Sequence, residues 1–63
     1  MDNPYTVVTG DCLWTIADRH LSELKPDVKP SNSDIARLVQ KIVELNQIPD
    51  PDLIYPKQVL ILP

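Results

Sequence analysis

The chain has 63 residues, a formal net charge of −3 and one cysteine. A chain this short forms one domain with a small core, and a lone cysteine excludes an intrachain disulfide. The six basic residues are scattered among nine acidic ones, which argues against nucleic acid and anionic membranes, because both require clustered Lys and Arg.

The first predicted elements are a strand and a helix. Tyr5–Val8 is aromatic and β-branched, which favours a strand, and a Thr-Gly-Asp turn at residues 9–11 follows it. Asp11 is predicted to be the N-cap of a helix that starts at Cys12. Apolar residues then recur at helical spacing and predict a buried stripe: Leu13, Ile16, Ala17, Leu21 and Leu24.

A proline-rich linker at residues 25–30 separates this helix from a second one. Ser31 and Asp34 resemble a capping box, which predicts the start of the second helix. We expect that helix to end near Asn46, which tolerates a left-handed backbone and whose side chain would fasten the helix end to the following loop. Its apolar face is predicted to consist of Ile35, Leu38, Val39, Ile42, Val43 and Leu45.

The last predicted element is a strand at Val59–Leu62, which follows a Tyr-Pro turn at residues 55–58. The order is therefore β, α, α, β, and it predicts an α+β fold with a two-stranded antiparallel sheet and both helices on one face. We expect a single domain over residues 1–63, with its core in 5–62.

Side-chain alternation along the two strands predicts one buried and one exposed sheet face. The inward set is Val7, Leu60 and Leu62. The outward set is Val8, Val59 and Ile61, which would form a small exposed apolar patch.

Two segments near the ends of the chain, together with the end of the second helix, resemble the LysM family of carbohydrate-binding modules. The resemblance covers nearly the whole chain, because its motifs occur in order from the first strand to the last. The residues that carry it are Tyr5, Val7, Gly10-Asp11, Leu13-Trp14, Ile16-Ala17, Glu44-Leu45-Asn46, Asp52-Leu53-Ile54-Tyr55-Pro56, Gln58, Leu60 and Leu62.

The resemblance implies a βααβ fold and non-catalytic binding of N-acetylglucosamine-containing glycans, either peptidoglycan or chitin. The implied ligand lies in a shallow groove between two loops. Such a neutral ligand needs backbone donors and acceptors beside an apolar floor, which Leu53 and Ile54 are expected to form. The implied ligand-binding residues are Gly10, Asp11, Cys12, Leu13, Pro51, Asp52, Leu53, Ile54, Tyr55 and Pro56.

Three features depart from the family pattern. Cys12 stands where Thr or Ser is common, so a weaker donor replaces a hydroxyl. Lys57 replaces the usual glycine after Tyr-Pro, which costs roughly 1 kcal/mol or more if φ is positive there, whereas a type I turn would accept Lys. The segment from Leu21 to Ser31 is longer than in minimal family members and extends the helix connection away from the groove.

Catalytic and metal chemistry find little support in the sequence. Cys12 and His20 are about 12 Å apart along one helix, so they cannot act as a nucleophile and base; His20 is expected to be exposed or half-buried. Asp50 and Asp52 flank a proline and could suggest a cation site, but a solvated loop is the preferred interpretation. Trp14 and Tyr55 are candidates for stacking on a sugar ring. Packing over the helix edge or the neighbouring loop is the preferred interpretation for Trp14, and Tyr55 is expected to brace the Pro turn. No cofactor is expected.

The leading interpretation is a module that anchors a larger cell-wall or phage protein to the bacterial wall. No apolar run reaches the length of a membrane span, and the first residues lack a signal-peptide pattern. We expect a monomeric module of an exported or phage-derived protein that acts outside the cell or at the wall. The alternative is a protein-interaction or assembly module that uses the outer sheet face.

Overall fold

A computed structural model describes residues 3–63. The two strands pair antiparallel, with Tyr5 opposite Leu60. The predicted βααβ fold is therefore confirmed. The first strand was predicted at Tyr5–Val8 but covers Asn3–Thr6, because its pairing with the last strand begins at Asn3, opposite Leu62, and ends at Thr6, opposite Val59. The elements are β1 (Asn3–Thr6), α1 (Leu13–Leu24), α2 (Asn32–Asn46) and β2 (Val59–Leu62).

The two helices begin in different ways. Ser31 caps α2 through the predicted capping box, in which Ser31 Oγ accepts from the Asp34 N–H at 3.2 Å. The N-cap of α1 is Cys12, whose backbone is extended and whose thiol makes no capping hydrogen bond. The prediction that Asp11 caps α1 was wrong, because the helix starts one residue later and the Asp11 carboxylate bonds to the preceding loop instead.

The core lies where both helices meet one face of the sheet. Its three largest fully buried side chains are Ile16 of α1, Ile42 of α2 and Leu60 of β2. The α2 backbone packs against β2, whereas α1 packs against α2 and reaches the sheet through side chains. The complete buried apolar set is Val7, Leu13, Ile16, Ala17, Ile35, Leu38, Ile42, Ile48, Leu60 and Leu62.

The predicted stripe of α1 holds except at its last residue. Leu21 is half-buried against the core, whereas Leu24 is 61% exposed, because it ends the helix beside the linker. His20 is buried instead, and its Nε2 lies 3.0 Å from the carbonyl oxygen of Pro63. The expectation of an exposed or half-buried His20 was wrong, since this ring lies three residues after the buried Ala17 and its polar atom finds a partner at the end of β2.

The end of α2 joins the helix to β2. Gln47, rather than Asn46, takes the left-handed conformation, with φ of 52°. The N–H groups of Gln47 and Ile48 bond to the carbonyls of Glu44 and Val43, which is the pattern of a Schellman motif. The Asn46 side chain forms hydrogen bonds with the carbonyl and the N–H of Ile61, so it fastens the helix to β2. The prediction that it fastens the helix to the following loop was wrong.

The outer sheet face exposes apolar side chains. Val59 is 56% exposed, as predicted, while Ile61 is half-buried. Val8 is also exposed, at 57%, but it lies in the loop after β1 and not in the strand as predicted. Leu45 was predicted to face the core from α2, but it is 46% exposed. Within residues 3–63, neither helix has the length and apolar character needed to cross a membrane.

Candidate functional site

A groove of about 380 Å³ lies between the start of α1 and the loop that precedes β2. α2 contributes Val39, which is half-buried in the middle of that helix. Leu13 is buried and Ile54 is half-buried, so the groove has an apolar lining with polar groups at its edges. The residues that line it are Asp11, Cys12, Leu13, Trp14, Val39, Pro51, Asp52 and Ile54.

The first loop contains a β-turn over residues 8–11. The Asp11 N–H donates to the Val8 carbonyl at 3.0 Å, and Gly10 in the third position has φ of +94°. A Cβ atom on Gly10 would meet no heavy atom within 4 Å. Glycine is therefore needed here for its backbone conformation, and not for a close approach of another part of the chain.

The Asp11 carboxylate holds this loop in place through hydrogen bonds to β1 and to the loop itself. Its Oδ2 accepts from the Tyr5 hydroxyl at 2.6 Å and from the Val8 N–H at 3.0 Å. Arg19 donates to the same Tyr5 oxygen at 2.6 Å, and its guanidinium lies 5.4 Å from the centre of the Tyr5 ring. Asp11 thus links the loop to β1 and, through Tyr5, to α1.

These contacts shift the titration of the groups that form them. The hydrogen bond from Tyr5, followed by that from the Val8 N–H, lowers the pKa of Asp11. The same bond raises the pKa of Tyr5, because deprotonation would remove the donor and place two anions together. At neutral pH the carboxylate is therefore charged and the phenol is protonated.

The second loop contains two consecutive turns. In the first, Asp50 Oδ1 accepts from the Asp52 N–H, and the Asp50 carbonyl accepts from the Leu53 N–H, both at 3.0 Å. In the second, the Gln58 N–H donates to the Tyr55 carbonyl, and Lys57 has φ of 72°. Proline second and a positive φ third define a type II turn, so the type I alternative for Lys57 was wrong.

Backbone hydrogen bonds fix the two loops relative to each other. The Val7 N–H donates to the Gln58 carbonyl at 2.8 Å, and the Lys57 N–H donates to the Val7 carbonyl at 2.7 Å. The Gln58 side chain also accepts from the Tyr55 N–H at 2.9 Å. Tyr55 thus braces the turn through its backbone, while its side chain is 62% exposed.

Six of the ten predicted ligand-binding residues lie together in the groove lining: Asp11, Cys12, Leu13, Pro51, Asp52 and Ile54. The other four lie outside it: Gly10, Leu53, Tyr55 and Pro56. Leu53 does not line the groove and is 54% exposed. The apolar side chains that line the groove together with Ile54 come from α1 and α2. Leu53 was predicted as a ligand-binding residue because it stands between Asp52 and Ile54 in the motif. A position in the motif does not determine the direction of a side chain in a turn.

Two lining residues lie outside the predicted ligand-binding set. Trp14 is 45% exposed in the groove lining, which agrees with the less favoured alternative and not with packing on the helix edge or the neighbouring loop. Its position immediately after Leu13 in the first turn of α1 was the available signal. Val39 was assigned only to the apolar face of α2, and nothing in the sequence indicated that this helix reaches the groove.

Cys12 is exposed at the edge of the groove, and its Sγ lies 3.0 Å from the Thr15 hydroxyl oxygen. That hydroxyl is the main cause that lowers the pKa of the thiol. The N–H groups of the first turn of α1 remain without an intrahelical partner and are not capped by Cys12. Within residues 3–63, no group of three or more His, Cys, Asp or Glu side chains could hold a metal ion.

Residues 5–63 match the family model described as the LysM domain. The chain belongs to the LysM family. LysM domains are generally modules that bind N-acetylglucosamine-containing glycans such as peptidoglycan and chitin; they are typically non-catalytic and occur in extracellular or cell-wall proteins. The chain matches no curated protein and no solved structure.

Proposed function

We propose that this LysM domain binds N-acetylglucosamine-containing glycans in the groove between its two loops and does so without catalysis. The observation that carries the proposal is the composition of that groove. Apolar side chains of Leu13, Trp14 and Ile54 lie beside the uncapped N–H groups at the start of α1. These are the groups that a neutral, acetamido-bearing sugar requires.

The chemistry of the ligand agrees with this lining. An N-acetyl sugar presents an amide carbonyl that accepts from backbone N–H groups and a methyl group that packs on apolar side chains. Trp14 offers a rigid apolar surface on which a sugar ring can stack. Because both Asp11 oxygens are directed at Tyr5, Val8 and Arg19, Asp11 supports the loop and makes no principal sugar contact.

We infer that the module anchors a larger cell-wall or phage-derived protein to the bacterial wall, outside the cell. A single shallow groove binds weakly, so attachment depends on the many repeated sites of a wall or on further modules, which raise the effective concentration. The isolated domain is expected to be monomeric.

Sedimentation with insoluble polymer tests this proposal. The domain should co-sediment with purified bacterial wall or with chitin, and Ile54→Asp should reduce the bound fraction severalfold, because it places a charge in the apolar lining. Val59→Asp is the matched control, since it adds the same charge on the outer sheet face. The proposal fails if neither polymer retains the folded domain, or if both variants bind as well as the unaltered domain.

A second candidate function is supported by the exposure of Val59 on the outer sheet face and of Val8 in the loop after β1, more than half of each side chain. Exposed apolar side chains of this kind suit a protein-interaction or assembly module. Val59→Asp should then abolish self-association in light scattering while glycan sedimentation persists. A monomer at high concentration, with or without the substitution, would count against assembly through this face.

A further inference from the structure

A second groove, of about 330 Å³, lies between the last turn of α1, the linker and α2. Its volume is at the lower end of the range of ligand pockets, so it can hold a few side chains of a partner. We call it the helix groove. It shares no lining residue with the groove between the two loops, which we call the glycan groove. The residues that line the helix groove are Leu21, Leu24, Lys25, Val28, Pro30, Asp34, Arg37, Leu38 and Lys41.

The apolar part of the helix groove is accessible from outside. Leu24 at the end of α1 is 61% exposed, and Val28 in the linker is 59% exposed. A turn positions Val28 next to the helix end, because its N–H donates to the Lys25 carbonyl at 3.1 Å. Exposed apolar side chains that line a concave surface are typical of an interaction site.

The helix groove carries positive charge on an acidic chain. Its lining contains Lys25, Arg37 and Lys41 but a single carboxylate, that of Asp34. The Asp34 carboxylate accepts from the Ser31 N–H in the capping box, and among residues 3–63 none of the three cations forms a salt bridge. The rest of the chain has three basic and eight acidic residues. The groove therefore complements an acidic partner in charge.

Two of these cations define the spacing that a ligand must match. Arg37 and Lys41 are four residues apart on α2, so they share one face of the helix and lie about 6 Å apart along its axis. Like charges at this spacing repel each other, and an anionic ligand relieves the repulsion. In an extended peptide, side chains two residues apart lie on the same side with a separation of about 6.6 Å, and the intervening side chains point the other way.

This alternation fits the two sides of the helix groove. α2 supplies Arg37 and Lys41, whereas Leu24 and Val28 come from α1 and the linker. A peptide with acidic and apolar residues in alternation can therefore direct its carboxylates at α2 and its apolar side chains at the other side. A phosphate polymer offers charge without apolar side chains, and a lipid bilayer is too broad to enter a groove of this size.

We propose that the helix groove binds an extended acidic segment of a partner protein, in which carboxylates alternate with apolar side chains. The carboxylates pair with Arg37 and Lys41, and the apolar side chains pack on Leu24 and Val28. Because the two grooves share no lining residue, the protein segment and a glycan can be bound at the same time. The helix groove is thus a second site, independent of the proposed glycan binding.

Chemical-shift titration with the synthetic peptide acetyl-Glu-Leu-Glu-Leu-Glu-amide tests the inference. The amides of Leu24, Val28 and Leu38 should shift saturably, and the analogue with glutamine in place of glutamate should bind severalfold more weakly. Lys41→Gln should weaken binding of the acidic peptide about twofold to fivefold, as expected for loss of an exposed ion pair, and Lys41→Arg should preserve it. Lys29→Gln, the same change in the linker outside the groove lining, should have little effect.

The outcomes separate this inference from the proposed function. Absence of shifts in the helix groove, or equal binding of the acidic and glutamine peptides, would overturn the inference and leave the glycan groove untouched. Equal binding of the block peptide acetyl-Glu-Glu-Glu-Leu-Leu-amide would overturn the alternating arrangement. If phosphatidylserine vesicles broaden the helix-groove signals while the acidic peptide does not shift them, the partner is a lipid surface and the inference fails.

Discussion

The carboxylate of Asp11 accepts hydrogen bonds from the Tyr5 hydroxyl and the Val8 N–H, which hold the first loop against β1. Bonds to a charged acceptor contribute more than bonds to a neutral one. Asp11→Asn should therefore lower the free energy of unfolding by about 1 kcal/mol at neutral pH, measured by urea denaturation. Asp18→Asn, on the exposed side of α1, is the control and should change it by less than about 0.5 kcal/mol.

The same variant should alter the response to acid. The pKa of Asp11 lies below its ordinary value of 3.8, so the charged form stabilises the fold. This contribution is complete above that ordinary value and is lost as the pH falls through the lowered pKa of the folded state. Asp11→Asn should lose less stability than the unaltered domain on acidification, whereas an unchanged acid dependence would show that the carboxylate contributes nothing.

Lys57 lies in the type II turn before β2 with φ of 72°, a region that costs a side-chain-bearing residue about 1–2 kcal/mol. Lys57→Gly should raise the free energy of unfolding by roughly 0.5–1 kcal/mol, because part of this gain is offset by the greater entropy of glycine in the unfolded chain. Lys57→Ala removes the same charge but keeps the Cβ atom, so it should not stabilise. Equal effects of the two substitutions would attribute the change to charge.

At the scale of elements, Asn46 is the main connection between the end of α2 and β2. Its side chain donates to the carbonyls of Ile42 and Ile61, both at 2.9 Å, and accepts from the Ile61 N–H at 2.8 Å. Asn46→Ala should cost about 2–3 kcal/mol, because it leaves partly buried backbone groups unpaired.

Gln40→Ala, on the exposed part of the same helix, is the control for Asn46→Ala and should change stability by less than about 0.5 kcal/mol. Hydrogen exchange should show faster exchange of the Ile61 amide in Asn46→Ala. Retention of full protection there would contradict the role of Asn46 as the connection between α2 and β2.

The sequence predicted elements whose signal is local. The capping box at Ser31 and the apolar run at Val59–Leu62 specified where α2 starts and where β2 lies. The burial of His20 and the bonds of Asn46 to β2 were mispredicted, because each depends on a partner more than ten residues away. The motif likewise indicated both loops of the candidate groove, but not that Ile54 lines it and Leu53 does not, because side-chain direction within a turn is not set by the motif.

Across the whole molecule, the glycan groove and the outer sheet face serve different proposed roles. The glycan groove lies between loops that Asp11, the Lys57 turn and the Val7 hydrogen bonds hold in place. The outer sheet face exposes Val59. The sequence indicated both surfaces, but not the contribution of Val39 to the groove lining, because only the fold brings α2 beside the two loops.

The most direct measurement is a chemical-shift titration of the folded domain with chito-oligosaccharides of increasing length. The account predicts saturable shifts of the amides from Cys12 to Thr15 and from Asp52 to Ile54, and of the Trp14 indole N–H, with affinity that rises until the oligosaccharide fills the groove. The outer strand amide of Val59 should not shift. Absence of shifts in both loops, with these glycans and with peptidoglycan fragments, would contradict the central claim.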